Sequence, residues 1–403
     1  MVFLESFRLF SSCPIEKENK VWAEIDLSAL KENYLSLAAR VKDDNPERKL
    51  ICVIKADAYG HCAKACCGAL LDAGARYFAV SCIEEAIDVR QVCDGRGLDA
   101  EILIMGYTFP SQAPQLAEHG ITAALTDLNH ANSLADAAKS AGVVISCHIK
   151  IDTGMNRLGF PALCDADIAS TADNIEEILK NKNLNITGIF THFSKADEEL
   201  PENGEKNLTF IQYRRFMKLC DILKKRGCDI KFKHACNSAA TLAFADFRLD
   251  ACRAGILLYG ACPSEGLLAN TTKPVMKFKT VITHIHTLPP GEAVSYGATF
   301  TADTPRKIAT LPVGYADGFI RAYSGAYVTV NTKSGGVRVP VIGRICMDQC
   351  MIDITGTDAE LLDEVTLFGN SPKDLSDLAA HAKTIDYEVL CLVSARVVRK
   401  IIP

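Results

Sequence analysis

Between Trp22 and Arg253 the chain repeats one pattern, a short apolar, β-branched run followed by a longer stretch of helical period. Runs of that kind, separated by helix-length segments, cannot pair as hairpins and instead build βα units around a parallel sheet. An opening strand, VWAEID (21–26), precedes a helix that carries Leu30, Tyr34, Leu37, Ala38 and Val41 on one face. Eight strand candidates follow: LICVIK, YFAVS, EILIM, TAALT, VVISCHIK, NITGIFTH, DIKFKHA and RLDACR. Eight such units over about 250 residues is the size of a (β/α)8 TIM-like barrel. A doubly wound dinucleotide-binding sheet fits less well, because no GxGxxG follows an early strand.

Beyond Pro274 the grammar changes to strands with tight turns, in TLPPGEAVS, NTKSGGVRV and LFGNSP, with one helical interruption at DLSDLAAHA. The expectation is a barrel domain over residues 1–274 and a smaller, mostly antiparallel β domain over 275–403, with the opening strand near 21–26 packing with the second domain. A chain of 403 residues, 48% hydrophobic and 23% charged, suffices for two cores. The net charge of −5 comes from intermixed acidic and basic residues, so no basic stripe marks a nucleic-acid partner. Seventeen cysteines lie scattered among apolar neighbours, as at Cys52, Cys147, Cys252 and Cys391, without a CxxC pair. Cys62, Cys66 and Cys67, or Cys346 and Cys350, lack zinc-site spacing, so neither disulfides nor metal are expected. Glu5 and Arg8 interrupt the apolar start, and no later run reaches membrane-spanning length, which points to a cytoplasmic protein without membrane association.

Barrel strands direct the polar groups at their carboxyl ends into one mouth, and here those groups are ionisable. Lys55 ends the first strand, Lys150 the fifth, His192 the sixth and Arg253 the eighth. A lysine directly after an apolar strand either snorkels to water or has a partner or a covalent role. Tyr59, the Gly60-His61 turn, Ser238 and the Gly255-Ile256 backbone leave room and donors for an anion. A phosphate bearing a reactive aldehyde fits this arrangement. Taken singly, His192 is equally a hydrogen-bonded core histidine, Tyr296 a half-buried strand tyrosine, Arg253 a strand-end ion pair, and Lys150 a partner for Asp152 or Asp197.

Nine segments carry a resemblance: IKADAYGH, KIDTGMNRLGF, THFSKAD, HACNSAATL, RAGILLYG, AVSYGATF, LPVGYADG, GRICMDQCMID and DYEVL resemble the landmark motifs of the alanine racemase family, in the family's order. The resemblance implies a homodimer of a barrel that binds pyridoxal 5′-phosphate and a C-terminal β domain, each active site completed by the partner subunit. Lys55 matches the lysine that carries the cofactor and serves as one catalytic base, and Tyr296 the opposing base. Arg253 matches the arginine facing the pyridine nitrogen. Tyr59, Asn237, Ser238, Gly255, Ile256 and Tyr387 match the cofactor site, chiefly its phosphate contacts. His192 matches a histidine beneath the pyridine ring or supporting the tyrosine base. Arg157 and Met347 match the substrate-carboxylate site, Tyr315 and Asp348 the inner ring of the access channel, and Lys150 a lysine that is often carbamylated. The implied activity is conversion of L-alanine to D-alanine, used in bacterial cell-wall building.

Elementary chemistry is consistent with these roles. Racemisation removes a proton from one face of a planar centre and returns one to the other, so it needs two acid/base groups on opposite sides. An arginine offers only donors, so Arg253 does not readily protonate a pyridine nitrogen, and a neutral pyridine is a weaker electron sink that favours racemisation over transamination. The sequence departs from the common family pattern at Cys62, where GHG is usual, and at Asn156, where many members have glycine. A serine racemase of the same architecture is the nearest alternative, disfavoured by the large Tyr387. An amino-acid decarboxylase and a non-catalytic cofactor-binding barrel, which lacks a C-terminal β domain, are more distant.

Overall fold

The computed structural model of the chain describes residues 19–198, 204, 206–261 and 272–403; the amino-terminal stretch read above for export signals lies outside them. The opening strand β1 spans Val21–Asp26. The strands that follow are β2 (Lys49–Val53), β3 (Tyr77–Val80), β4 (Glu101–Ile104), β5 (Thr122–Leu125), β6 (Ile145–Asp152), β7 (Phe160–Pro161), β8 (Leu184–Phe190), β9 (Phe232–His234) and β10 (Ala251–Ala254). All eight barrel strands read from the sequence form. They run in the order β5-β4-β3-β2-β10-β9-β8-β6, and a parallel pairing of β5 with β6, Ala123 opposite Cys147, closes the ring. Their apolar residues, among them Ile51, Val53, Ala79, Val80, Ile102, Ala123 and Ile149, are buried, as in parallel strands between a packed interior and a helical layer.

The helices follow from amphipathic spacing and capping. Leu27–Lys42 buries Leu30, Tyr34, Leu37 and Val41, and the Asp26 carboxylate accepts the Ala29 N–H at 2.8 Å. Asp127 and Asn207 cap the helices Leu128–Ala141 and Leu208–Lys225 in the same way. Cys52, Cys147 and Cys252 are buried, whereas Cys391 is exposed, and the described cysteines are free thiols. No helix among the described residues is long and apolar enough to cross a membrane.

The chain forms two compact units. One comprises Ala23–Lys277, Phe368–Ser394 and Arg399–Pro403, and so holds the barrel together with the helices Pro372–His381 and Asp386–Leu392. The other comprises Phe278–Leu367 and Ala395–Val398 with the described residues up to Trp22. Its strands are β12 (His284–Leu288), β13 (Ala293–Val294), β14 (Phe300–Thr301), β15 (Arg306–Leu311), β16 (Tyr327–Thr332), β17 (Gly335–Ile342), β18 (Cys350–Asp353) and β19 (Glu364–Phe368). Antiparallel neighbours run in the order β12-β15-β18-β17-β16-β19, and β13 pairs with β14 as a short hairpin. Leu288, Val294, Ala302, Ile308 and Ile342 form a core cluster under that hairpin. The chain passes between the units inside β1, β11 (Met276–Val281), β19 and β20 (Val398–Ile402), and between Ser394 and Ala395.

Candidate active site

Lys55 stands just after β2, at the head of a turn that is wound the wrong way for L-amino acids. Ala56, Asp57, Ala58 and Tyr59 have φ between 52° and 56° and ψ between 40° and 52°. Each non-glycine residue in this region costs roughly 1–2 kcal/mol, so the turn persists only because its surroundings hold it. Several bonds do. The Ala58 N–H donates to the Ile54 carbonyl at 2.9 Å, and Arg399 Nε donates to the Gly60 carbonyl at 3.0 Å. Asp57 Oδ1 accepts the Ala63 N–H at 2.7 Å. Glu85 accepts the Ala56 N–H at 2.6 Å on one oxygen and the Ser81 N–H at 2.8 Å on the other, tying the turn to the end of β3. Neither the left-handed turn nor the Glu85 clamp is evident from the sequence, although a glutamate in the first turn of the helix after β3 is a capping position that could have flagged it.

The turn directs Tyr59 inward, where it is buried against Tyr259, with ring centroids 4.9 Å apart, and Tyr387, at 6.1 Å. Its hydroxyl reaches Gly255, whose N–H donates to Ser238 Oγ at 2.9 Å. Tyr59, Ser238, Gly255 and the buried Ile256 backbone therefore converge at one side of the mouth, with the half-buried Tyr387 beside them. Asn237 plays a supporting part: its side chain accepts the Ala240 N–H at 3.0 Å and donates to the Phe193 carbonyl at 3.3 Å, which caps and anchors the helix beginning at Ser238.

Two residues before Gly255, on β10, Arg253 is almost fully buried and without a carboxylate partner among the described residues. Its Nη1 donates to His234 Nδ1 at 2.8 Å and the His234 carbonyl at 3.2 Å; its Nη2 donates to the Thr191 and Ala235 carbonyls, both at 2.8 Å, and lies 3.3 Å from His192 Nδ1. Burial lowers its pKa to about 10, still charged at neutral pH. The half-buried His192 is held well below the ordinary imidazole range by burial and then by Arg253, so it is neutral and free to accept.

Lys150 is buried, 5.5 Å above the Phe190 ring, and donates to the Ile151 carbonyl at 2.9 Å instead of pairing with Asp152 or Asp197. Burial, then Arg253, lowers its pKa to about 7. Asp152 has a different task. Its Oδ1 accepts the N–H groups of Gly154, Met155 and Asn156 at 2.9, 3.0 and 3.1 Å, folding the loop that ends at the exposed Arg157. Lys55 is shifted down by burial first and by Arg157 second, with Glu85 opposing. Two amines of lowered pKa, Lys55 and Lys150, and two guanidinium groups, Arg157 and Arg253, thus share one barrel mouth suited to an anionic ligand.

In the other unit, three loops bring the remaining expected residues together. Tyr296 sits at the tip of the β13–β14 hairpin and is 73% exposed, not the half-buried strand residue its sequence suggests in isolation. The preceding Ser295 donates through Oγ to the Arg344 carbonyl at 2.6 Å. The N–H groups of Tyr315 and Ala316 donate to the Cys346 and Met347 carbonyls, both at 3.1 Å, and Arg396 bridges Asp317 and Asp348 at 2.7 Å each. Tyr315 and Met347 are 43% and 54% exposed, so this apolar and phenolic cluster faces outward.

A lysine whose pKa is lowered, a cluster of hydroxyls and backbone donors and a buried arginine with only donors to offer, gathered at the carboxyl end of a parallel barrel, define a barrel enzyme with a donor-rich mouth suited to an anion. Comparison with known proteins makes the assignment specific. The model of the alanine racemase N-terminal domain matches residues 25–263 and that of the C-terminal domain residues 275–401. The chain is 38% identical over 385 residues to an alanine racemase of Methanococcus maripaludis, covering 94% of this chain and 98% of that protein. It is 39% identical over 386 residues to alanine racemase 1 of Clostridium acetobutylicum, covering 94% of each. An alanine racemase structure from Clostridium difficile 630 superposes with a TM-score of 0.84 at 36% identity, covering 95% of this chain and 96% of that one. The chain belongs to the alanine racemase family.

Proposed function

We propose that this protein interconverts L- and D-alanine with pyridoxal 5′-phosphate held at Lys55, and that it works as a homodimer. The observation that carries the reading is the state of Arg253: its two Nη groups donate to the His234, Thr191 and Ala235 carbonyls and to the His234 imidazole, which leaves Nε–H as its remaining donor. When bound, the cofactor supplies an electron sink that acidifies the α-hydrogen of an amino acid joined to it. The protein's own groups do the rest. Tyr59, Ser238, Gly255 and Ile256 receive the phosphate, with Tyr387 beside them. Arg253 would face the ring nitrogen as a donor that does not readily give up its proton, and so would keep the electron sink weak and favour prompt return of hydrogen to the α-carbon.

Lys55 Nζ moves a proton on one face and the Tyr296 hydroxyl on the other. A depressed lysine pKa serves this, because the neutral amine is the base. Arg157 and Met347 receive the substrate carboxylate, with Lys150 orienting Arg157, and Tyr315 and Asp348 border the access path. The exposure of Tyr296, Tyr315 and Met347 is what a second copy would cover, each copy lending its loops to the other's barrel. Tyr387 leaves room for a methyl side chain better than for a hydroxymethyl one, which supports alanine over serine. Incubation with L-alanine in D2O tests the whole reading: loss of optical activity together with α-deuterium is expected, and retained chirality would refute it.

A further inference from the structure

Below the mouth, the barrel interior holds a polar chain that the reaction as described does not use. His148 and Lys150 point inward from β6, one residue pair apart, so His148 lies a layer deeper. Its Nδ1 is 3.1 Å from His234 Nε2, and His234 Nδ1 in turn takes the Arg253 Nη1 hydrogen. The ring of His234 stacks on Phe190 at 4.8 Å with an interplanar angle of 4°, beneath the Arg253 guanidinium 5.5 Å from the same ring. At the far end His148 lines a cavity of about 340 Å³. Tyr77, Glu101, Thr122, Ser146, Asn185 and Phe232, residues at or near the amino-terminal ends of their strands, border it, so it lies at the opposite end of the barrel from Lys55.

The fold makes room for this chain. A β-carbon at residue 188 would lie 2.6 Å from His148 Nε2 and 2.7 Å from two ring carbons, so only glycine admits the imidazole there. The β6–β8 register also slips at this point, Cys147 facing Ile186 and His148 facing Gly188, a bulge that brings the glycine opposite the ring. Two independent features of β8 thus serve one side chain of β6.

The direction of the chain is fixed by chemistry. Arginine has no acceptor, so Nη1 must donate and His234 Nδ1 must accept. Neutral His234 then carries its hydrogen on Nε2 and donates to His148 Nδ1, which leaves the His148 hydrogen on Nε2, toward the cavity. Burial, and then Arg253, holds His148 down to about 4 and His234 well below its ordinary value, in keeping with two neutral rings. No proton can travel to Arg253 along such a chain, because its terminal group cannot accept one. Its use is orientation.

We propose that His148 and His234 are positioning residues for Arg253, a hydrogen-bond chain of one polarity that locks the guanidinium so that Nε–H faces the ring nitrogen. The inference rests on the racemase reading for its consequence, though not for its geometry. Were the guanidinium loosened, its positive charge would no longer be held against the ring nitrogen, which would then take a proton from water more readily; the deeper electron sink would let more turnovers end in amino transfer to the cofactor instead of return of hydrogen to the α-carbon.

The test uses the holoenzyme and two readings, nitrogen NMR of the imidazoles and the ratio of transamination to racemisation. Wild-type protein is expected to show His234 and His148 both neutral and protonated on Nε2. His148→Leu, which removes the acceptor, leaves the His234 Nε2–H without its partner and should shift the His234 nitrogen resonances and raise the transamination ratio about tenfold, the scale of one lost buried hydrogen bond. His148→Gln, which restores an acceptor and a donor, should return both readings to within about twofold of wild type. Gly188→Ala displaces the ring without deleting it and should move both readings as His148→Leu does, which keeps the test open if the leucine variant fails to fold. Protonated Nδ1 on wild-type His234, or unchanged readings in Gly188→Ala, would overturn the proposal. Expected tautomers in a protein that does not racemise alanine would sink the functional reading and leave the chain standing.

Discussion

The Tyr59 hydroxyl lies so close to the α-carbon of Gly255 that a β-carbon there would be 2.4 Å from it. That approach by itself requires glycine, without any left-handed φ, since φ is −112°. Gly255→Ala should therefore push Tyr59 off the anion cradle and weaken cofactor binding by about tenfold or more, with an overpacking loss of about 1–3 kcal/mol. Titration of apoprotein with pyridoxal phosphate, beside thermal unfolding, separates the two effects. Unaltered affinity would show that the Tyr59 hydroxyl is not part of the phosphate site.

Lys55 and Tyr296 should fail differently when changed. Lys55→Ala is expected to abolish both the absorbance of the lysine-bound cofactor and the activity. Tyr296→Phe should keep the cofactor and lower kcat by about 10²-fold or more, the scale of a lost acid/base group. Exchange with D2O discriminates further, since the variant should still exchange the hydrogen of one enantiomer while failing to invert it. Full racemisation by Tyr296→Phe would remove that residue from the mechanism.

Lys150 gives a signed pH dependence. Its amine titrates near 7 in the folded protein against 10.5 when unperturbed, burial being the main cause. Below pH 7 both folded and unfolded chains bind the proton, and the folded state bears the full penalty of a buried charge. As pH rises through 7 the folded state releases its proton first, so this group's contribution to stability improves up to about pH 10.5 and then levels off. In CO2-free buffer, Lys150→Met should be more stable than wild type at pH 6 by on the order of 1–3 kcal/mol, with the gap closing by pH 10. With CO2 present, the neutral amine can form a carbamate and release a proton, visible by NMR with isotopically labelled bicarbonate. A pH-independent gap between the two proteins would contradict the depressed pKa.

The parts of this site that could be read from the sequence were those set by local pattern. Apolar runs fixed the barrel strands, and their carboxyl ends placed Lys55, Lys150, His192 and Arg253 in one mouth, because strand direction alone decides where such residues project. What escaped reading depends on contacts between distant segments. Glu85 meets Ala56 across 29 positions, and His148 meets His234 across 86. The left-handed turn at Ala56–Tyr59 runs against local preference and is held in part by distant groups, Glu85 and Arg399. In the sequence, IKADAYGH shows a strand end and the Gly60-His61 turn but not the left-handed winding between them.

That turn supplies a prediction of its own. Ala56 is exposed and sits at φ 52°, so a branched side chain there meets backbone strain without any change in the core. Ala56→Val should destabilise the protein by about 2 kcal/mol or more, whereas Ala56→Gly should fall within about 1 kcal/mol of wild type. Thermal unfolding of the two variants reads the difference. Equal stability would mean that the turn relaxes to right-handed geometry at no penalty.

Arg396 joins two loops that carry expected substrate-channel residues. Its Nε donates to Asp317, whose side chain is only 6% exposed, and its Nη2 to Asp348, which is 53% exposed. Asp317 also accepts the Gly314 N–H at 2.9 Å, so the carboxylate fixes the turn that leads into Tyr315. Arg396→Ala leaves this buried carboxylate short of its cationic partner, a loss of about 1–3 kcal/mol. Because the arginine touches neither base, KM should rise several-fold while kcat changes less. Arg396→Lys should recover the charge without the two-pronged geometry, and so restore stability more than KM. A KM unchanged in both variants would place Tyr315 and Asp348 outside the path that substrate takes.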